Sequence, residues 1–387
     1  MSWNTHKLGE LIETKKGYAF KSSWYQNYGH PIVKVSDFTD DSIDTSSLAN
    51  IPQEIADEYS SYKLCERDVI IQTVGSWPSN PASVVGKCIN VPLAAHGALL
   101  NQNAVKISPK DRLDNIFLYY LLRSPAFKNY IINTARGSAS QASITLDAIR
   151  KFEITIPSAE SQKHIGFVLK CYDDLIENNR RRIQLLEESA RLLYKEWFVQ
   201  LRFPGHEHVK IVDGVPEGWS REPLGDLLTL QRGFDLPAKN RKDGLVPIYA
   251  STGVNGFHSE AKVKGPGVVT GRSGSLGTVM YVAKDHWPLN TTLWVKEFKK
   301  ITPIISTFIL RALKLENYNG GAAVPTLNRN DAHKIEVLCP SDTLIREFDI
   351  QVATIFSQID KLTEYSLKLS QARDILLPRL MNGTLTV

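Results

Sequence analysis

The sequence predicts an α+β protein: two duplicated α/β units joined by two long helices that form an antiparallel coiled coil, with pseudo-two-fold symmetry. Three observations carry this. A long segment occurs twice, each copy ends in a sustained heptad, and the order is β-rich, helical, β-rich, helical. The period is far too long for a solenoid, so the repeat is a domain duplication. A unit duplicated once implies a partner that is itself two-sided or double.

The repeat begins with Trp3 and Leu8-Gly9-Glu10-Leu11-Ile12, followed by Gly17-Tyr18 and Pro31-Ile32. Its echo is Trp219, Leu224-Gly225-Asp226-Leu227-Leu228, Gly233-Phe234 and Pro247-Ile248, at a constant offset of 216 (219 − 3). Further on, Val69-Ile70 matches Val268-Val269, Asn101 matches Asn290, and Thr145-Leu146 matches Thr326-Leu327. From Pro157 and Pro340 onward the offset is 183 (340 − 157). Such length changes belong in surface loops.

Within the first unit the runs Pro31–Val35, Asp68–Gln72, Ala104–Ile107 and Phe152–Ile156 are β-rich, with a helical stretch at Ile116–Arg123. The matching helix of the second unit starts at Ile304. Each unit is read as an α+β domain around a curled sheet.

The helical segments are built differently. Ile165, Leu169, Tyr172, Ile176, Ile183, Leu186, Ala190, Leu193 and Trp197 alternate spacings of three and four, and Asn179 holds the remaining seam place. That is a heptad seam. Its copy reads Phe348, Val352, Ile355, Ile359, Leu362, Ser366, Leu369, Arg373, Leu376 and Leu380. The polar seam places do not coincide, and polar seam residues fix register at a cost in stability. Two separate amphipathic helices, each on its own domain, are the alternative. Arg202–His208 and Gly214–Gly218 form a turn and hinge between the halves.

With 387 residues, 42% hydrophobic and 22% charged, the chain has the composition of a soluble globular protein of two or three domains. No apolar run is long enough to span a bilayer, and the start, MSWNTHKLGE, has no signal-peptide core. Cys65, Cys88, Cys171 and Cys339 form no Cys-x-x-Cys pair, which fits reduced thiols in a cytoplasmic protein away from membranes. A net charge of +5 and a pI near 8.8 lean towards an anionic partner.

Catalytic patterns are missing. Neither a dinucleotide-binding nor a phosphate-binding glycine loop occurs, and the glycines around Gly271-Arg-Ser-Gly-Ser-Leu-Gly277 have the wrong spacing. Asp285 with Glu297 and Lys299 resembles part of a nuclease set but has no partner in the first repeat. His206-Glu-His208 lies in the linker without further metal ligands. The sequence reads as a recogniser rather than an enzyme.

The whole chain resembles the specificity subunits of type I restriction–modification systems. The resemblance is carried by Trp3…Leu8-Gly9-Glu10 and its echo, by Ile156-Pro157…Gln162 at the entry to the first helix, and by the ending Ala372–Gly383. It implies target-recognition domains at 1–157 and 219–340, helical spacers at 158–203 and 341–387, and a linker at 204–218. It also implies a split double-stranded DNA site and two adenine-N6 methyltransferase subunits, through which a restriction/translocase subunit joins. The chain itself would bind no cofactor and no metal and have no catalytic residues. S-adenosylmethionine, ATP and Mg²⁺ would belong to the partner subunits.

Base edges are read by amide, guanidinium and hydroxyl groups from loops. The first unit offers Lys15, Lys16, Tyr18, Gln72, Thr73, Asn101, Gln102, Asn103, Arg136, Ser138, Ser140 and Gln141. The second offers Gln231, Arg232, Phe234, Arg272, Ser273, Ser275, Asn290, Thr291, Thr292 and Asn328. Matched loops carrying different residues are expected if each unit reads its own half-site. A spacer of about 50 Å suits half-sites about one helical turn apart. Two other readings stay open: a scaffold or DNA-binding subunit of another phage-defence system, and a stand-alone nuclease.

Overall fold

A computed structural model describes residues 4–78, 84–138, 141–321 and 324–386; Trp3 and Ser140 lie outside the described residues. The chain divides into two compact units, Met1–Asn178 with Tyr365–Val387, and Asn179–Glu364. The division falls inside both long helices, Ala159–Tyr194 and Asp342–Met381. The compact units therefore do not follow the order of segments along the chain. Each is a domain plus one half of each helix.

In the first unit a four-stranded antiparallel sheet runs in the order Ile12–Lys16, Ala104–Pro109, Val69–Gln72, Cys88–Asn90. Val69, Ile70 and Ile71 are all fully buried, as expected of an unbroken apolar run in a strand covered on both faces. A three-stranded sheet sets His30–Val33 between Ala49–Ile51 and Leu99–Leu100, the latter pair parallel. Asn4–Lys7 pairs with Glu153–Ile156, joining the ends of the domain. The helix Asn115–Arg123 starts at Asp114, whose carboxylate accepts the Ile116 and Phe117 N–H groups, both at 2.9 Å.

The second unit repeats each piece. Its four-stranded sheet is Leu228–Arg232, Thr292–Phe298, Gly267–Gly271, Val279–Val282. Its three-stranded sheet centres on Val246–Ala250, again with a parallel partner, Trp287–Pro288. Ser220–Pro223 pairs with Glu336–Cys339. Thr302 caps the helix Pro303–Ala312.

Hydrogen bonds refine the register between the copies. Gly17 N–H donates to Ala104 O at 3.0 Å and Gly233 N–H to Thr292 O at 3.1 Å. Tyr18 N–H donates to Leu100 O and Phe234 N–H to Pro288 O. Asn101 thus corresponds to Leu289, and Asn290 to Gln102, not to Asn101 as identical letters suggest. Likewise Ile144 N–H donates to Thr73 O and Leu327 N–H to Arg272 O, so Thr145 corresponds to Asn328 rather than to Thr326. Both cap short helices, Leu146–Lys151 and Arg329–His333. Ladder position, not letter identity, defines equivalence.

The helix seams are visible as burial. Ile165, Leu169 and Ile176 are buried and Tyr172, Asn179, Ile183, Leu186 and Leu193 half-buried, while most intervening positions are exposed. In the second helix Phe348, Val352, Leu362 and Leu380 are buried and Ile355, Ile359, Leu369 and Leu376 half-buried. In the first unit Ile165 and Leu169 share a core with Leu377 and Leu380. In the second, Tyr194 and Trp197 lie 6.1 and 5.9 Å from Phe348, ring to ring. Early residues of one helix meet late residues of the other, so the pair is antiparallel. A π turn at Lys195–Val199 inserts an extra residue, and both Trp197 and Phe198 are buried there.

Two backbone positions are constrained to glycine by close approach. A Cβ on Gly17 would stand 2.1 Å from Asn101 O, and one on Gly233 2.2 Å from Leu289 O. Gly17→Ala and Gly233→Ala are each expected to destabilise their own unit by about 1–3 kcal/mol, measured by urea unfolding. An unchanged midpoint contradicts this packing.

In the second unit, burial holds the rings of His286 and His333 below their ordinary value of 6.5. The His333 Nε2 accepts the Leu230 N–H at 2.9 Å, so its neutral form is the folded form. Their stabilisation is complete above 6.5 and is lost as pH falls from there through the folded values. Melting temperature should drop on acidification, and His333→Gln, which keeps an acceptor, should flatten that drop. An unaltered pH profile in the variant opposes the assignment.

Candidate nucleic-acid interface

In the first unit the polar loops meet at one end of the four-stranded sheet. Tyr18 bridges Asn101, and Thr73 N–H donates to Asn103 O at 2.9 Å. The short strands Arg136–Gly137 and Ala142–Ser143 continue through Val74–Gly75 into the same corner. Trp77 Nε1 donates to Ser138 O at 2.7 Å, tying the hairpin down. Lys15, Lys16, Arg136, Ser138 and Gln141 are exposed, and Tyr18, Gln102 and Asn103 half-buried.

Three of the residues expected to reach DNA are buried instead. Gln72 is 0%, Thr73 5% and Asn101 6% exposed. Gln72 Nε2 donates to Val74 O at 2.9 Å and Thr73 Oγ1 to Asn103 O at 3.0 Å. They hold the loops in place, since a buried polar group needs its partner within the fold. Lys15 Nζ is also engaged, bonded to Ser61 O and 4.9 Å from the centre of the Tyr62 ring. Tyr18 packs, tilted, against Tyr59 at 4.3 Å and Tyr62 at 5.4 Å between ring centres. The Tyr18 hydroxyl, then burial, pushes the Tyr59 phenol above its ordinary value.

The second unit builds the corresponding corner from different side chains. Arg272 and Ser273 N–H groups both donate to Thr291 O, at 2.9 and 3.1 Å, and Ser273 bridges Thr326. Arg272 Nη1 donates to Asn290 O at 3.3 Å, and the Asn290 amide to the Asp235 carboxylate. Arg232 lies 4.0 Å from the same carboxylate. Two guanidinium groups, an amide and an acid thus share one corner. Phe234 stands where Tyr18 does and packs against Trp294 at 6.0 Å.

Here Thr292 is the buried exception, 0% exposed, with its hydroxyl donated to Leu289 O at 2.7 Å. Asn328 is an exposed helix cap, accepting the Asn330 N–H at 3.0 Å. Gln231, Ser275 and Thr291 are half-buried, and Thr291 Oγ1 is buried without a hydrogen-bond partner. Asp235 and Arg241 escaped the sequence reading. Arg241 grips Asn255 through two bonds of 2.7 and 3.0 Å, a pairing fourteen residues apart that no local pattern signals.

Other candidate chemistry is spoken for. Asp285 accepts the Gly265 N–H at 3.0 Å, and Lys299 Nζ donates to Gly225 O at 2.6 Å. Among the described residues no group of three or more His, Cys, Asp or Glu could hold a metal ion. Among the same residues no helix is long and apolar enough to cross a membrane.

Comparison with known proteins agrees with this architecture. Residues 1–188 match the type I restriction modification DNA specificity domain. The type I restriction enzyme MjaIX specificity subunit of Methanocaldococcus jannaschii is 25% identical over 327 residues, 77% of this chain and 75% of that protein. The HindI specificity subunit of Haemophilus influenzae is 24% identical over 354 residues, 69% of this chain and 76% of that protein. The crystal structure of a type I restriction–modification system S subunit from M. genitalium superposes with a TM-score of 0.58 at 18% identity, covering 98% of this chain and 96% of that one. Residues 1–188 thus carry a type I restriction modification DNA specificity domain, and the chain as a whole shares the fold of a type I S subunit.

Proposed function

We propose that this chain is a type I restriction–modification specificity subunit that binds double-stranded DNA, each unit reading one half of a split site. The observation that carries the reading is the pair of equivalent corners with unlike side chains. Thr73 is replaced by Arg272, Gln102 by Asn290 and Tyr18 by Phe234 on matched backbones. A conserved frame with exchanged polar groups suits two readers of different sequences, because hydrogen bonds to base edges discriminate while the frame only positions them. The net charge of +5 favours a polyanionic partner.

In this reading the chain is not catalytic. Its two-fold plan holds two copies of an adenine-N6 methyltransferase, which supply S-adenosylmethionine, and the restriction/translocase subunits, with ATP and Mg²⁺, join through them. The recognition chain itself takes up no cofactor. Its setting is the cytoplasm, where the DNA is.

Arg272 tests the docking of the second unit. Arg272→Ala in the assembled complex should cost about 1–3 kcal/mol on cognate duplex and relax preference at one position if the group reads a base. If it holds a phosphate, all sequences weaken alike and the salt slope shallows by about one. Unchanged affinity, discrimination and slope remove this corner from the interface.

Exchanging residues 219–340 for the matching domain of a relative should change one half of the methylated sequence and leave the other. Sequencing of methylated adenines reads the result. A change in both halves, or in neither, refutes independent reading. Methylation by the purified chain alone would refute the non-catalytic role.

A further inference from the structure

At one layer of the helix pair the two units are built from opposite chemistry. In the first unit Tyr120 Oη donates to Asp173 Oδ2 at 2.6 Å, and Asp173 Oδ1 accepts from Arg373. Arg373 is 5% exposed and also reaches Asp374 at 2.9 Å. Arg123, on the helix that carries Tyr120, lies within electrostatic reach of both Asp173 and Arg373.

The duplication identifies the equivalent positions in the second unit. Tyr120 corresponds to Phe308, Asp173 to Phe356 and Arg373 to Ala190. There the layer is apolar. Phe308 and Phe356 stack with ring centres 6.0 Å apart, and Ala190 is fully buried in the same core. Arg123 corresponds to Arg311, which bonds the Val279 carbonyl at 3.1 Å and lies within electrostatic reach of Glu187 on the first long helix.

Because the helices are copies, the first could pair with the first helix of another molecule in the same register, and the second with the second. We propose that the Tyr120–Asp173–Arg373 triad is a pairing key that makes the first long helix accept the second helix of its own chain and reject its equivalent in a second copy. Pairing two first halves sets Asp173 against Ala190, with a cavity where the guanidinium stood. Pairing two second halves sets Arg373 against Phe308, Phe356 and the like-charged Arg311, with no Asp173. Only the mixed pair gives Arg373 both carboxylates and Asp173 its guanidinium. In a pair of second halves Arg373 keeps Asp374 alone and faces apolar rings, and a buried charge that loses its partner across the helices is strongly destabilising. Single polar places in a coiled coil select partners by this logic. The layer is built from the long helices and the domain helices that carry Tyr120 and Phe308, and its pairing is independent of what the domains bind.

The test cuts the folded full-length chain. A protease site is inserted at Gly214, which is exposed in the turn between Ile211–Val212 and Val215–Pro216. Labelled and unlabelled cut protein are incubated in partial urea until the isotopes have exchanged between mixed pairs, and native mass spectrometry counts the pairs. In the unaltered protein the mixed pair should exceed both like pairs by more than about tenfold. The variant Tyr120→Phe/Asp173→Phe/Arg373→Ala gives the first unit the set that already packs in the second, and its pairs should approach random proportions. Should circular dichroism of the uncut triple variant show an unfolded first unit, Arg373→Ala decides: it gives second halves the alanine that already packs against Phe308 and Phe356, and pairs of second halves should appear. Random pairing of the unaltered halves overturns the proposal. So does a folded triple variant as selective as the original, or an Arg373→Ala protein without second-half pairs.

Discussion

Burial of the heptad seam holds each unit together, because neither domain core is completed by its own segment alone. Ile165, Leu169, Leu377 and Leu380 belong to the core of the first unit, and Ala190, Trp197, Phe348, Val352 and Phe356 to that of the second. Phe348 contacts Trp197, Phe198, Tyr194 and Phe308 at once. Removing a buried ring of this kind costs about 3–5 kcal/mol, a large part of the stability of a domain. The helices are therefore shared structural walls of the two domains as well as a pair with each other.

Within each domain the sheet ladder does for the polar loops what the seam does for the helices. The turn after Gly17 and the turn after Gly233 can approach the neighbouring carbonyls only because a side chain is missing there. This close approach brings Tyr18 beside Asn101 and Phe234 beside Leu289. The corner is then stitched by buried groups such as Thr73 and Thr292, whose hydroxyls bond the backbone. Exposed neighbours, Arg136 and Gln141 in one unit and Arg232 in the other, project from a frame already held.

Exchange of chemistry at equivalent places has different meanings at the surface corners and in the helix layer. At the surface corners it varies what is presented while the ladder stays constant. In the helix layer it varies what is buried, and there a charge needs its partner. Asp173 and Arg373 together are tolerable, whereas either alone is costly. The duplicated plan supplies two similar surfaces, and this inequality distinguishes them.

The duplication, the heptads and the order of segments were legible in the sequence because each is a local or periodic property. Apolar residues at alternating threes and fours face one side of any helix that contains them, whatever its neighbours. The pairing of Gln102 with Asn290, and of Thr145 with Asn328, was not legible. Identical letters pointed to other matches, and only the hydrogen-bond ladder decides which residues oppose each other. Burial of Gln72, Thr73, Asn101 and Thr292 was hidden for the same reason: a polar residue in a loop is presented or enclosed according to chain segments distant in sequence. Tertiary structure also decided that each domain is closed by half of each helix, since antiparallel pairing brings the end of one helix to the start of the other. Periodicity set the faces; long-range contact chose their partners.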